Sequence, residues 1–203
     1  MIPPLCFVTD ADAPRSILDQ ATAAASGGAE WVQLRHKTLP DRDFALLART
    51  LQPLLAALGA RLIVNDRVGI AAAIGAFGVH IGQDDGDPAE IRDRIGPDMV
   101  LGLSVSTEDQ ARAVPDCIDY LGVGPIRATA SKPDHAAPIG HTGFARIVRL
   151  TPLPCLAIGG LGPRDADPVR AAGGAGLAVV SAISRAADPA GAARALLQAW
   201  RVA

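Results

Sequence analysis

Residues 61–82 read RLIVNDRVGIAAAIGAFGVHIG. The stretch opens on an apolar run, Arg61–Asp66, that ends in Asn65 and Asp66. A helical pattern, Arg67–Ile74, follows and stops at Gly75. A second apolar run, Gly78–Gly82, leads into Gln83-Asp84-Asp85. Two short Val/Ile-rich runs joined by one helix are the pattern of a βαβ unit, whose strands are parallel.

The alternation continues in both directions. Further apolar runs are Leu5–Asp10, Trp31–Arg35, Val100–Val105, Tyr120–Pro125, Cys155–Gly160 and Gly176–Ile183, eight in all. Several are nearly continuous, as strands covered on both faces should be. Helical patterns fill the gaps: Arg15–Ser26, Asp41–Leu58, Pro88–Ile95, Thr107–Val114, Phe144–Leu150, Pro163–Ala172 and Pro189–Trp200. Asp41 is suited to cap the second helix and Pro53 to kink it. Gly-Ala precedes a strand in GAEWVQLR, GAFGVHIG and GAGLAVVS, a faint internal echo. Eight strand–helix alternations in 203 residues, with no composition break, predict a single-domain (β/α)8 TIM barrel over 1–203. An open, doubly wound sheet is the rival. The longest irregular stretch is Ile126–Thr142, and loops of that length are usually functional.

Composition narrows the function. The chain is 49% hydrophobic and 20% charged, enough apolar surface for a sizeable core. A net charge of −2 and 3% aromatic residues argue against a nucleic-acid partner. No apolar run is long enough to span a membrane, and the opening MIPPLCFVTD does not read as a signal peptide. Cys6, Cys117 and Cys155 are odd in number and widely spaced, which suits small apolar filler in a reducing, cytoplasmic setting. All but two of the 19 cations are Arg; the exceptions are Lys37 and Lys132. Lys is a compact point charge and Arg a planar fork, so isolated lysines in an Arg-rich chain single themselves out.

In such a barrel the catalytic face is built from the C-terminal strand ends. Those ends are polar or glycine-rich throughout: Thr9-Asp10, Gln33-Leu34-Arg35 with His36-Lys37 after it, Asn65-Asp66, Gln83-Asp84-Asp85, Ser104, then Gly124-Pro125 with Thr129 to Lys132 after it, Gly159-Gly160, and Ser181 in strand eight. Arg35, Lys37 and Lys132 can converge on a phosphate. Asp66 and Asp85, just past neighbouring strands, are the donor set that Mg²⁺ takes when phosphate oxygens complete its shell. Gly159-Gly160 and the turn at Ser181 follow strands seven and eight, a usual place for a phosphate on this fold. The residues point to two phosphorylated ligands, one bound with Mg²⁺.

Each assignment has a structural competitor. Asp66 could cap helix three, and Asp84-Asp85 could be a solvated turn. Gln33 could be an inward barrel-layer residue, Gly159-Gly160 only a tight turn, and Ser104 and Ser181 packing hydroxyls. His80 alternates with Val79 and Ile81 and reads as a satisfied core histidine; His135 and His141 read as loop surface.

The segments FVTD, VQLRHK, VNDR, GVHIGQDD, LGLSVS, YLGVGPIRATASK, AIGG and VVSAI resemble, in order and separation, the thiamine phosphate synthase family. The resemblance runs from Phe7 to the last helix. It implies a (β/α)8 transferase that joins 4-amino-2-methyl-5-hydroxymethylpyrimidine diphosphate to a hydroxyethylthiazole phosphate, releasing pyrophosphate, with Mg²⁺. By matching position, Gln33, Arg35 and Lys37 resemble the diphosphate clamp, and Asn65 the aminopyrimidine contact. Ser104 and Lys132 resemble further contacts to that substrate, and Asp66 and Asp85 the Mg²⁺ ligands. Thr129, Ser131, Gly160, Val180 and Ser181 resemble thiazole-phosphate contacts, with Gly159 beside them. Arg35, Lys37, Ser104 and Lys132 are the expected catalytic set, stabilising charge on the leaving diphosphate, so no general base is expected.

Two positions depart from the family pattern: His36 stands where Glu is usual, and Ser131 where Thr is usual. A thiazole tautomerase on the same barrel resembles Gly-His at the place of Gly124-Pro125, and would not need the carboxylate pair. A non-catalytic thiamine-phosphate-binding protein should lack one of Arg35, Asp66, Asp85 or Lys132, and all are present. A phosphosugar isomerase or epimerase would need a carboxylate base inside the barrel. A homodimer is compatible with the sequence. The loop Ile126–Thr142 is expected to close over substrate.

Overall fold

The structure is a computed structural model that describes residues 2–131 and 136–202. Strands β1 (Leu5–Val8), β2 (Trp31–Leu34), β3 (Arg61–Asn65), β4 (Gly78–Ile81), β5 (Val100–Val105), β6 (Tyr120–Val123), β7 (Cys155–Ile158) and β8 (Gly176–Val179) are all parallel, and β1 pairs with β8 to close a barrel. Around it, in chain order, lie α1 (Ile17–Ser26), α2 (Asp41–Ala57), α3 (Val68–Ile74), α4 (Pro88–Ile95), α5 (Glu108–Arg112), α6 (Gly140–Val148), α7 (Ala166–Ala171), α8 (Ser181–Ser184) and α9 (Pro189–Val202). A 3-10 turn, Pro163–Asp165, precedes α7. No helix among the described residues is long and apolar enough to cross a membrane.

Local chemistry explains most helix ends. The Ser16 hydroxyl accepts the Asp19 N–H at the start of α1, and the Asp87 carboxylate accepts the Ala89 N–H ahead of Pro88 in α4. Thr107 and Gln110 form a reciprocal capping box on α5. Gly75 ends α3 at φ +60°, the left-handed conformation that glycine adopts without penalty.

Several expectations are corrected. Pro40, not Asp41, occupies the cap position of α2, and the Asp41 carboxylate instead receives Arg67 Nη1 at 2.6 Å. The helix continues past Pro53 to Ala57. Helix α6 begins at Gly140, ahead of the expected Phe144, which puts His141 in a helix. β8 stops at Val179, so Ser181 opens the short α8 and is not a strand residue. In most strands the last polar or glycine residues of the predicted run lie beyond the ladder, whereas Asn65 stays in β3, paired with His80, and Ser104 stays in β5.

Side-chain alternation divides the core in two. Outward residues such as Phe7, Leu34, Val64, Val79, Leu101, Leu121 and Val179 pack under Ala21, Phe44, Leu51, Phe144 and Leu196 of the helices. A smaller cluster, Cys6, Trp31, Ile63, Tyr120, Leu156 and Ala178, fills the barrel interior. At its N-terminal end Trp31 meets Phe77 edge-on at 5.8 Å and Tyr120 at 5.1 Å, closing the bottom. Above that plug the barrel alternates large and small: a Cβ on Gly102 would run into the rings of Tyr120 and His80, and one on Gly122 into His80. The glycines of β5 and β6 therefore make room for two polar rings.

Candidate active site

A cavity of about 530 Å³ opens above those rings at the C-terminal mouth of the barrel. Every strand contributes to its wall, from Val8 on β1, Gln33 on β2 and Asn65 on β3 round to Ile158 on β7 and Ala178 on β8. Of the residues singled out in the sequence, Gln33, Arg35, Lys37, Asn65, Asp66, Asp85, Ser104, Thr129, Ser131, Gly159, Gly160, Val180 and Ser181 all border this one space. Lys132 and His135 lie outside the described residues. Asp10 does not turn inward; it is buried against Ser184 and Arg185, with Oδ2 at 3.2 Å from each.

The floor is polar. His80 Nδ1 lies 2.9 Å from the Tyr120 hydroxyl, and Nε2 lies 2.9 Å from Ser104 Oγ. Burial pushes the Tyr120 phenol well above its ordinary range, so it keeps its proton. Tyr120 was not singled out from the sequence, although it is the chain's single tyrosine and opens a strand opposite Gly102. That facing glycine is the signal that a large inward ring sits there. His80 is a satisfied core histidine, as its alternation implies, and it also borders the cavity.

One side of the mouth is strongly charged. The Lys37 ammonium forms an ion pair with the Asp66 carboxylate. Asp66 sits at φ +60°, the one described non-glycine residue with positive φ, and its N–H donates to the His80 carbonyl at 2.9 Å. Its carboxylate does not cap α3, whose cap position is Arg67. Burial raises the Asp66 carboxyl above its ordinary pKa; Lys37 opposes this, and Asp85 raises it further. Asp85 therefore acts on Asp66 at close range, while its Oδ2 accepts the Gly82 N–H at 2.6 Å.

Neighbouring residues set the cations in place. The Thr9 hydroxyl accepts the Arg35 N–H at 2.9 Å and donates to the Arg35 carbonyl at 3.1 Å. The Arg35 guanidinium reaches the Ser131 carbonyl at 3.4 Å. Arg67, stacked 4.3 Å over the Phe44 ring, donates to the His36 carbonyl at 3.0 Å and so ties down the loop that carries Lys37. His36 Nδ1 accepts the Leu39 N–H at 3.2 Å, so this departure from the family pattern serves the turn of its own loop.

Two carboxylates, with no third acidic, His or Cys ligand grouped with them among the described residues, are an incomplete shell for zinc. They fit a hard cation that keeps waters and borrows phosphate oxygens. That a lysine ammonium already settles on Asp66 shows that the spot favours positive charge.

The opposite side is made of backbone. Gly159 (φ +103°) and Gly160 (φ +65°) follow β7, and a Cβ on Gly159 would strike Pro125. Only glycine fits this turn, because both the conformation and the space exclude side chains. Thr129 and Ser131 border the same region, and the Thr129 hydroxyl accepts the Ser131 N–H at 3.2 Å. Val180 and Ser181 face it from the end of β8.

A cationic and carboxylate wall, a polar aromatic floor and a glycine cradle thus share one cavity. The family model described as thiamine monophosphate synthase matches residues 5–183. The chain belongs to that family. A thiamine-phosphate synthase of Solidesulfovibrio magneticus is 52% identical over 197 residues, covering 96% of this chain and 93% of its own. One from Roseiflexus sp. is 46% identical over 183 residues, covering 90% and 78%. Among solved structures, a thiamine phosphate pyrophosphorylase of Pyrococcus furiosus superposes with a TM-score of 0.87 at 31% identity, covering 97% of this chain and 94% of that one. The closed barrel found here has its eight strands in the order of the alternation read from the sequence.

Proposed function

We infer that this chain, acting as one barrel domain, is a transferase that makes thiamine phosphate. It joins the methylene carbon of 4-amino-2-methyl-5-hydroxymethylpyrimidine diphosphate to the ring nitrogen of hydroxyethylthiazole phosphate and releases pyrophosphate. The observation that carries this reading is the cavity with two unlike anion-binding ends, one of charged side chains and one of glycine backbone, over a single floor.

The residues divide the work by chemistry. Arg35 and Lys37 are set at the charged end to hold the diphosphate, with Gln33 beside them, and Lys132 belongs to the same set by its place in the family pattern. Asn65, Ser104 and the His80–Tyr120 pair offer hydrogen-bonding groups to the aminopyrimidine ring. Asp66 and Asp85 would hold Mg²⁺, whose contribution when bound is to neutralise charge on the leaving diphosphate. Thr129, Ser131, Gly159, Gly160, Val180 and Ser181 are placed to take the thiazole phosphate.

Loss of pyrophosphate leaves a cationic pyrimidine methylene stabilised by the electron-rich ring, which the thiazole nitrogen captures. The step needs alignment and stabilisation of the leaving group and no strong base. The floor agrees with this, because both ring nitrogens of His80 are engaged by Tyr120 and Ser104. The test is direct. Purified protein is incubated with both substrates and either Mg²⁺ or EDTA. Thiamine phosphate and pyrophosphate are expected with Mg²⁺ alone, and their absence in both arms overturns the reading.

A further inference from the structure

Behind the glycine cradle, outside the cavity wall, lies a buried carboxylate. Asp165 is 1% exposed and sits at the end of the 3-10 turn after β7. Three groups meet it: Arg127 Nη2 at 2.7 Å and His141 Nε2 at 3.1 Å on Oδ1, and the Gly162 N–H at 2.8 Å on Oδ2. Arg127 comes from the loop after β6 and His141 from the first turn of α6, so one carboxylate joins two successive β–α connections.

Arg127 also grips the cradle. Its backbone N–H donates to the Gly159 carbonyl at 3.0 Å, and Nη1 donates to the Gly160 carbonyl at 3.1 Å. The peptide bonds here are trans. In a trans peptide each carbonyl points opposite to the N–H that follows it. With both carbonyls drawn back to Arg127, the N–H groups of Gly160 and Leu161 turn the other way, and both residues line the cavity. A planar guanidinium with several donors can hold Gly160 and Asp165 together; an ammonium cannot reproduce that fork.

We propose that Arg127, anchored by Asp165, is a positioning residue that orients the Gly159-Gly160-Leu161 peptides into an anion cradle for the second substrate's phosphate. It touches neither substrate. It acts through the backbone, and Asp165 is needed because an Arg127 side chain released to solvent would let the two peptides rotate. The proposal rests on the function inferred above, since that reading assigns thiazole phosphate to this end of the cavity.

The experiment compares wild type with Arg127→Ala, Asp165→Asn and the double variant, each below its own melting temperature. The expected result is a KM for thiazole phosphate raised roughly tenfold, the effect of misplacing about one good hydrogen bond to a charged group. The KM for pyrimidine diphosphate and kcat should stay within about twofold, a split that general loosening of the barrel would not give. The double variant should be no worse than Arg127→Ala, because the two side chains act as one unit.

A second readout is calorimetric binding of inorganic phosphate, with pyrophosphate and Mg²⁺ filling the charged end; it should weaken in the same variants. Product formation with thiazole phosphate KM unchanged in Arg127→Ala overturns the positioning role and leaves the transferase reading intact. A wild type that makes no product, yet loses phosphate affinity on Arg127→Ala, supports the cradle and sinks the transferase reading. Arg127 is partly exposed, so its replacement reads the effect even where Asp165→Asn fails to fold.

Discussion

Asp66 combines features that rarely coincide: a left-handed backbone, a half-buried carboxylate and a lysine on its oxygen. Asp tolerates positive φ better than most residues, but at a cost that a mere turn would avoid with glycine. Conformations of that kind persist where the surroundings hold them, often at functional sites. The turn aims the carboxylate at the cavity and away from the helix it precedes. Its partner Asp85 is exposed, and its Oδ2 accepts the Gly82 N–H. Asp85→Ala should therefore leave the fold intact while lowering turnover by about a hundredfold or more, the scale seen when one charge-stabilising group is lost. Circular dichroism and an Mg²⁺ titration of the rate check both halves, and an unaltered rate at saturating Mg²⁺ removes Asp85 from the proposed metal site.

At the scale of elements, the β6–α6 and β7–α7 connections are built as a pair. Their shared carboxylate gives them a pH signature. Burial pushes the Asp165 carboxyl up, but the hydrogen bonds from Arg127 and Gly162 and the charges of Arg127 and His141 outweigh it and hold the pKa below the ordinary value. A carboxyl with a depressed folded pKa adds stability that is present above its unfolded pKa of about 3.9 and is lost as pH falls through the lower folded value. Melting temperature measured against pH should show it. Asp165→Asn should be less stable than wild type at neutral pH, and its melting temperature should fall less steeply below about pH 4. Parallel curves for the two proteins would show that the clamp stores no such charge energy. This clamp was not legible in the sequence. Arg127, His141 and Asp165 have no fixed spacing, and they meet only because the closed barrel sets successive loops side by side. The short α8 was hidden for a different reason: its residues Ser181–Ser184 continue the apolar run of β8, so periodicity alone cannot mark where the strand ends.

For the whole molecule the reverse holds. The barrel was readable because eight buried strands must each be a short apolar run, and the connecting helices must each show an apolar stripe. The candidate site, as one shared cavity, was legible because polar and glycine residues recur at the end of nearly every run, where a core has no use for them. What stayed hidden was Tyr120, which looks like core from its neighbours alone and differs only in facing the lumen. The two cores also divide labour. The shell beneath the helices carries most of the buried apolar side chains, and the lumen is filled only at its lower end.

That lower plug has an optical use. Trp31, 3% exposed, stands edge-on to Tyr120, which in turn meets His80 beneath the cavity. If the aminopyrimidine takes the place over the floor proposed above, it lies one ring away from this indole, and the barrel becomes its own fluorophore-labelled sensor. Adding pyrimidine diphosphate should change the emission of wild type and leave that of Trp31→Phe flat, since Trp200 on the outer helix α9 supplies an unchanging background. A titration followed this way would report ground-state occupancy without turnover, dye or coupled assay.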